Sequence, residues 1–145
     1  MNDHQASNLT HAEQKPLPSN LYSAVAILQH TCFTDALYAG WHNTPGTEGV
    51  RTSAENNAMF PTRLCLIHSE ISEAMEGHRK SLQDDKLPHR PMAEVELADA
   101  LIRIFDLGGV MGFDLAGALV EKMVYNRVRP DHKLAARAAV GGKAY

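Results

Sequence analysis

The sequence predicts an all-α protein built on four main helices, and three observations carry that prediction. From Pro61 onward, apolar residues recur at helical spacing over three stretches, each bounded by Pro, Gly or a capping Asp. No segment alternates apolar and polar residues as a half-buried strand does. The chain has 145 residues, 44% hydrophobic and 21% charged, the balance of one globular domain rather than of a disordered chain.

Residues 1–19 are polar and end on Pro16 and Pro18, so they read as a loose arm ahead of a single domain at 20–145. From Asn20 to about Trp41, the apolar positions Leu21, Val25, Leu28 and Ala36 to Tyr38 predict one or two helices, with residues 30–34 as a candidate break. Residues 42–57, with Pro45, Gly46 and Gly49, read as a loop. Pro61 suits the first turn of the next helix, where its missing N–H costs nothing. Leu64, Ile67, Ile71, Ala74 and Met75 give that helix one apolar stripe, and Gly77 with His78-Arg79-Lys80 ends it.

A polar loop at 81–90 leads to Pro91, which opens a third helix. Val95, Ala98, Ile102 and Phe105 form one stripe on it; Leu97, Leu101 and Ile104 form another. A helix apolar on two sides needs two neighbours, and in so short a chain one of them is expected to be a second copy of the protein. Gly108, Gly109 and Gly112 end this helix. Asp114 is a fitting N-cap for the fourth, Leu115 to about Arg127, with Leu115, Leu119 and Met123 in line. Pro130 stops it, leaving a tail at about 130–145.

A net charge of -3 argues against a general binder of nucleic-acid backbones. Cys32 and Cys65 make no disulfide framework, and CxxC is absent. The first residues lack the apolar stretch of a signal peptide, and no run approaches the roughly 20 apolar residues of a membrane span. The expectation is a cytoplasmic protein without a membrane or nucleic-acid partner.

Carboxylates mark the candidate site. Glu70 and Glu73 stand three apart and share a helix face, with Glu76 extending the line; Glu96 and Asp99 repeat the spacing on the third helix. Both pairs sit in apolar surroundings, LCLIHSEISEAM and VELADALIRIF, and flank the core stripes. Like charges placed so repel and are costly to desolvate, and a divalent cation relieves both. Oxygen donors select hard ions, hence Mg²⁺ or Mn²⁺ rather than zinc. A di-iron bundle needs Glu-x-x-His pairs, and no Glu here has a His three residues later. On the fourth helix Lys122, Asn126 and Arg129 share one face, followed by Asp131, His132 and Lys133. A point cation, an amide and a planar guanidinium on one stripe suit a polyphosphate.

The order Glu70-x-x-Glu73, a spacer at 74–95, Glu96-Leu-Ala-Asp99, then Lys122-x-x-x-Asn126-x-x-Arg129, resembles the MazG-like all-α nucleoside triphosphate pyrophosphohydrolases over about residues 60–133. The resemblance implies an antiparallel helical bundle assembling as a dimer or tetramer. It also implies Mg²⁺-dependent cleavage between the α- and β-phosphates, with Mn²⁺ as a substitute and two or more ions per site. Carried over by position, Glu70, Glu73, Glu96 and Asp99 are the metal ligands and catalytic carboxylates, and Lys122, Asn126 and Arg129 bind the phosphates.

Two departures stand out. Many members have a second glutamate immediately before the first motif residue, where this chain has Ser69. Cytosine-directed members stack the base on aromatic residues where this chain has 77–80 and Arg103. Base recognition is therefore expected from Trp41, His42, Asn43, Asn57 or Phe60. The alternatives are a dedicated purine (dGTP or GTP) pyrophosphatase of phage or bacterial type, and a non-catalytic helical oligomerisation or regulatory module.

Overall fold

The computed structural model describes residues 16–129 and 140–141. Most of the arm at 1–19, and most of the tail with Asp131, His132 and Lys133, lie outside the described residues. The element order is α1 (Leu21–Tyr38), α2 (Ser53–Lys80), α3 (Met92–Val110) and α4 (Leu115–Val128). Among the described residues no strand forms; Asn43 with Val50, and Gln83 with Pro91, make isolated bridges. No helix is long and apolar enough to cross a membrane. The chain divides into two units: residues 23–115 carry most of α1 with α2 and α3, and the remainder carries α4.

In the first unit, α1 runs unbroken through residues 30–34. Thr34 turns its hydroxyl back onto the carbonyls of His30 and Thr31, satisfying it within the helix. Helix α2 starts at Ser53, inside the stretch expected to be loop. Thr52 and Glu55 form a capping box, the Thr52 hydroxyl accepting from the Glu55 N–H while Glu55 accepts from the Thr52 N–H. That reciprocal cap outweighs the turn-forming asparagines at 56 and 57 and leaves Pro61 inside the helix rather than in its first turn. Ser81 ends α2 in the left-handed region at φ 52.

The α2–α3 pair positions the candidate site. A Cβ on Gly77 would come within 2.9 Å of the Met92 side chain, so only glycine allows this approach. Gly109 serves α1 in the same way: a Cβ there would overlap Phe33. Both Gly108 and Gly109 lie inside α3 rather than ending it.

The buried lines differ from the expected apolar stripes. On α2 the buried line runs through Ile67, Glu70, Ala74 and Gly77; on α3 it runs through Glu96, Ala100 and Leu107. Leu64, Ile71 and Met75 are exposed, as are Leu97, Leu101, Ile102 and Ile104. The small residues Ala74, Gly77 and Ala100 let the helices approach, and the carboxylates between them ride inward. The carboxylates therefore sit in the helix contact rather than beside it.

At the end of α3, Gln29 reaches across from α1. Its amide nitrogen donates to the Phe113 carbonyl at 2.7 Å and its oxygen accepts from the Leu115 N–H at 3.3 Å, meeting an otherwise orphaned donor at the start of α4. In the second unit, Ala116 is the buried residue of α4.

Candidate metal centre and adjoining cavity

Three carboxylates from two helices converge. Oxygens of Glu70, Glu96 and Asp99 lie within 4.8 Å of one another. Glu70 and Glu96 are 6% and 8% exposed, and Asp99 is half-buried. A hard cation bound at about 2.1 Å sets its neighbouring oxygens roughly 3–4 Å apart, so small side-chain adjustments close this set around one ion. The donors are all oxygens, which fits Mg²⁺ or Mn²⁺.

The electrostatics show what holding these groups together costs. Burial, a hydrogen bond with Glu70, and the charges of Glu73, Glu70 and Asp99 push the Glu96 carboxyl up to about 7. Burial and the charge of Glu70 also raise Asp99, while Arg103 pulls it back. Arg103 is the counter-charge of the triad, its Nε 2.6 Å from Glu70 Oε1. Glu73 sits exposed on the next turn of α2, outside the triad, with its charge felt by Glu96. Glu76 pairs with Arg79 and Lys80 as a solvated face. Ser69 donates to the Leu66 carbonyl at 2.7 Å, an ordinary helix back-bond.

A cavity of about 550 Å³ opens beside the triad, within the range of about 300–1,000 Å³ common to small-molecule sites. Asp99 and Arg103 belong to both cavity and carboxylate cluster. Met59, Leu66 and Ile102 give it apolar walls, and Trp41, 74% exposed, also lines it. Its remaining charged groups are Arg51, Arg63 and Asp106. Arg51 donates to the Trp41 carbonyl at 2.8 Å and so ties the indole's backbone to the wall.

Of the residues expected to recognise a base, Trp41 lines this cavity. His42 is buried behind it, bonded to Asp106 and Arg63. Asn43 is half-buried in a turn, its N–H donating to the Gly40 carbonyl. Asn57 is exposed near the start of α2, and Phe60 packs edge-on against Phe113. Arg51, Arg63 and Asp106 fall outside the residues expected from the sequence. The signal for two of them was present: Asp106 continues the line of Asp99 and Arg103 on α3, and Arg63 precedes Ile67 and Glu70 on the buried line of α2.

Asp84, in the loop read as merely polar, is a buried carboxylate accepting the N–H groups of Lys86 and Leu87. It orders that loop, and its charge adds to the upward shift of Asp99.

Lys122 on α4 and Arg129 just past its end both lie over the Tyr125 ring, 4.8 and 5.7 Å from its centroid. Asn126 is half-buried, and its Oδ1 is enclosed without a hydrogen-bond partner. Comparisons with protein-family models, curated proteins and solved structures find no match to this chain.

Proposed function

We propose that this protein is a Mg²⁺-dependent nucleoside triphosphate pyrophosphohydrolase of the MazG-like type, cleaving a (d)NTP to the monophosphate and pyrophosphate in control of the nucleotide pool. The observation that carries the reading is the carboxylate triad of Glu70, Glu96 and Asp99, drawn from both acidic motifs and opening onto a cavity of ligand size.

Glu70, Glu96 and Asp99 would hold the ion, and Glu73, exposed on the next turn of α2, would serve a second. The bound Mg²⁺ supplies charge neutralisation of the triphosphate and a nucleophilic water. The protein's own residues position and screen. Arg103 balances the carboxylates before substrate arrives, and burial between α2 and α3 keeps Glu70 and Glu96 from competing solvent. The cavity orients the rest of the substrate against the triad, which is where most catalytic benefit arises in phosphate chemistry. The role of Lys122, Asn126 and Arg129 as phosphate ligands belongs to the same proposal and rests on their spacing, Lys122 and Asn126 on α4 and Arg129 just past its end.

A homo-oligomer is part of the reading. Leu97 and Leu101 on α3 are 53% and 54% exposed, with Ile71 and Met75 exposed on α2. A second copy of the chain is the proposed cover for these faces.

The test is to incubate each NTP and dNTP with purified protein and Mg²⁺ or Mn²⁺, separating mono- from diphosphate products. Monophosphate plus pyrophosphate, abolished in a folded Glu96→Gln variant, is the expected result. Diphosphate plus phosphate contradicts the cleavage position. A protein that binds the ions and turns over no nucleotide is the non-catalytic helical module instead.

A further inference from the structure

Three buried or half-buried side chains fix one wall of the cavity. Arginine can only donate, so the Arg63 Nη2 at 3.2 Å from His42 Nδ1 makes Nδ1 the acceptor. The remaining ring proton sits on Nε2, which donates to Asp106 Oδ1 at 2.7 Å. Arg63 Nη1 donates to Asp106 Oδ2 at 3.3 Å. His42 is 1% exposed, so this arrangement is locked from behind. Each Asp106 oxygen has received one hydrogen bond and retains a further acceptor position.

Asp106 lines the cavity together with Arg63 and Arg51, so its two remaining acceptor positions and the arginine donors are the polar groups a ligand there would meet. Met59, Leu66 and Ile102 supply apolar walls and Trp41 an indole, surroundings suited to a flat heterocycle. Two neighbouring acceptors call for two neighbouring N–H donors. Among the common bases only guanine offers them, at N1 and N2, beside an O6 and N7 that suit guanidinium donors. Adenine and cytosine place a ring-nitrogen lone pair next to their single amino group, and that lone pair would face the carboxylate. Uracil and thymine have one N–H between two carbonyls.

We propose that this cavity binds the base of the substrate and that Asp106, held by His42 and Arg63, selects guanine. The inference rests on the nucleotide reading above and names its base. Asp106 is the specificity-determining residue, and His42 is a positioning residue acting through it.

Trp41 is the only tryptophan, so its fluorescence reports binding in this cavity directly. The experiment titrates wild-type protein with dGMP, dIMP, dAMP, dCMP and dUMP in Mg²⁺ and reads the quenching of Trp41. The expected result is dGMP binding about tenfold or more tighter than dAMP, dCMP and dUMP, with dIMP, which lacks the N2 amino group, weaker than dGMP. In Asp106→Asn the dGMP-to-dIMP ratio should collapse toward one. The wild-type ratios stand as a test whether or not that variant folds. Equal quenching by all five, tighter binding of another base, or no quenching by any overturns the inference. A dGMP preference without triphosphate hydrolysis overturns the pyrophosphohydrolase reading and leaves the base assignment standing. Hydrolysis of every triphosphate with no base preference does the reverse.

Discussion

Changing Glu96 to Gln should make the metal-free protein far less sensitive to alkaline pH. In the folded chain the Glu96 carboxyl keeps its proton up to about 7, against an ordinary 4.5, chiefly because it is buried and secondarily because Glu70, Glu73 and Asp99 surround it. The folded state thus binds this proton more tightly than the unfolded chain. The resulting stability is fully present below the ordinary value and is lost as pH rises through about 7. The interval from 4.5 to about 7, at about 1.4 kcal/mol per pH unit, comes to about 3 kcal/mol. Gln keeps the shape and can still donate to Glu70, but it has no charge to desolvate. Urea denaturation in EDTA at pH 5 and pH 8.5 measures the effect. The wild type should lose about 2–3 kcal/mol more than the variant across that interval, and Mn²⁺ should restore most of the loss. Parallel pH profiles for the two proteins would refute the placement of Glu96 among buried like charges.

Three other outcomes follow from the same geometry. Arg103→Met removes the cation paired with Glu70, so Mn²⁺ affinity by calorimetry should rise by about tenfold, as expected from losing one charge-assisted pair; weaker Mn²⁺ binding would mean Arg103 helps build the site. Gly109→Ala drives a methyl into Phe33 and should cost about 1–3 kcal/mol in urea denaturation, an unchanged midpoint ruling out that close approach. Leu101→Glu puts a charge on the exposed α3 face; in sedimentation the wild type should be a dimer or larger and the variant a monomer, whereas a monomeric wild type removes the need for a second copy.

The helices were legible because caps and apolar spacing are local. The carboxylates of α3 were legible for the same reason, since their spacing fixes a shared face whatever packs against it. Which face turns inward was not local. The choice between the Ile71 and Met75 side of α2 and the Glu70 and Ala74 side depends on how closely α3 can approach, and Gly77 against Met92 decides that. The start of α2 was misplaced by eight residues because Pro61 is a strong punctuation mark, while the cap at Thr52 works through a side chain three residues on. His42, Arg63 and Asp106 come from a loop and two helices, and their meeting is a tertiary fact. Most of the arm and of the tail lies outside the described residues.

The phosphorus atom that water attacks decides the cleavage position most directly. Hydrolysis of dGTP in ¹⁸O-water with Mg²⁺, followed by mass analysis of the products, should place the label in dGMP, release unlabelled pyrophosphate, and stop on chelation by EDTA. Label in orthophosphate, or turnover indifferent to EDTA, would contradict it.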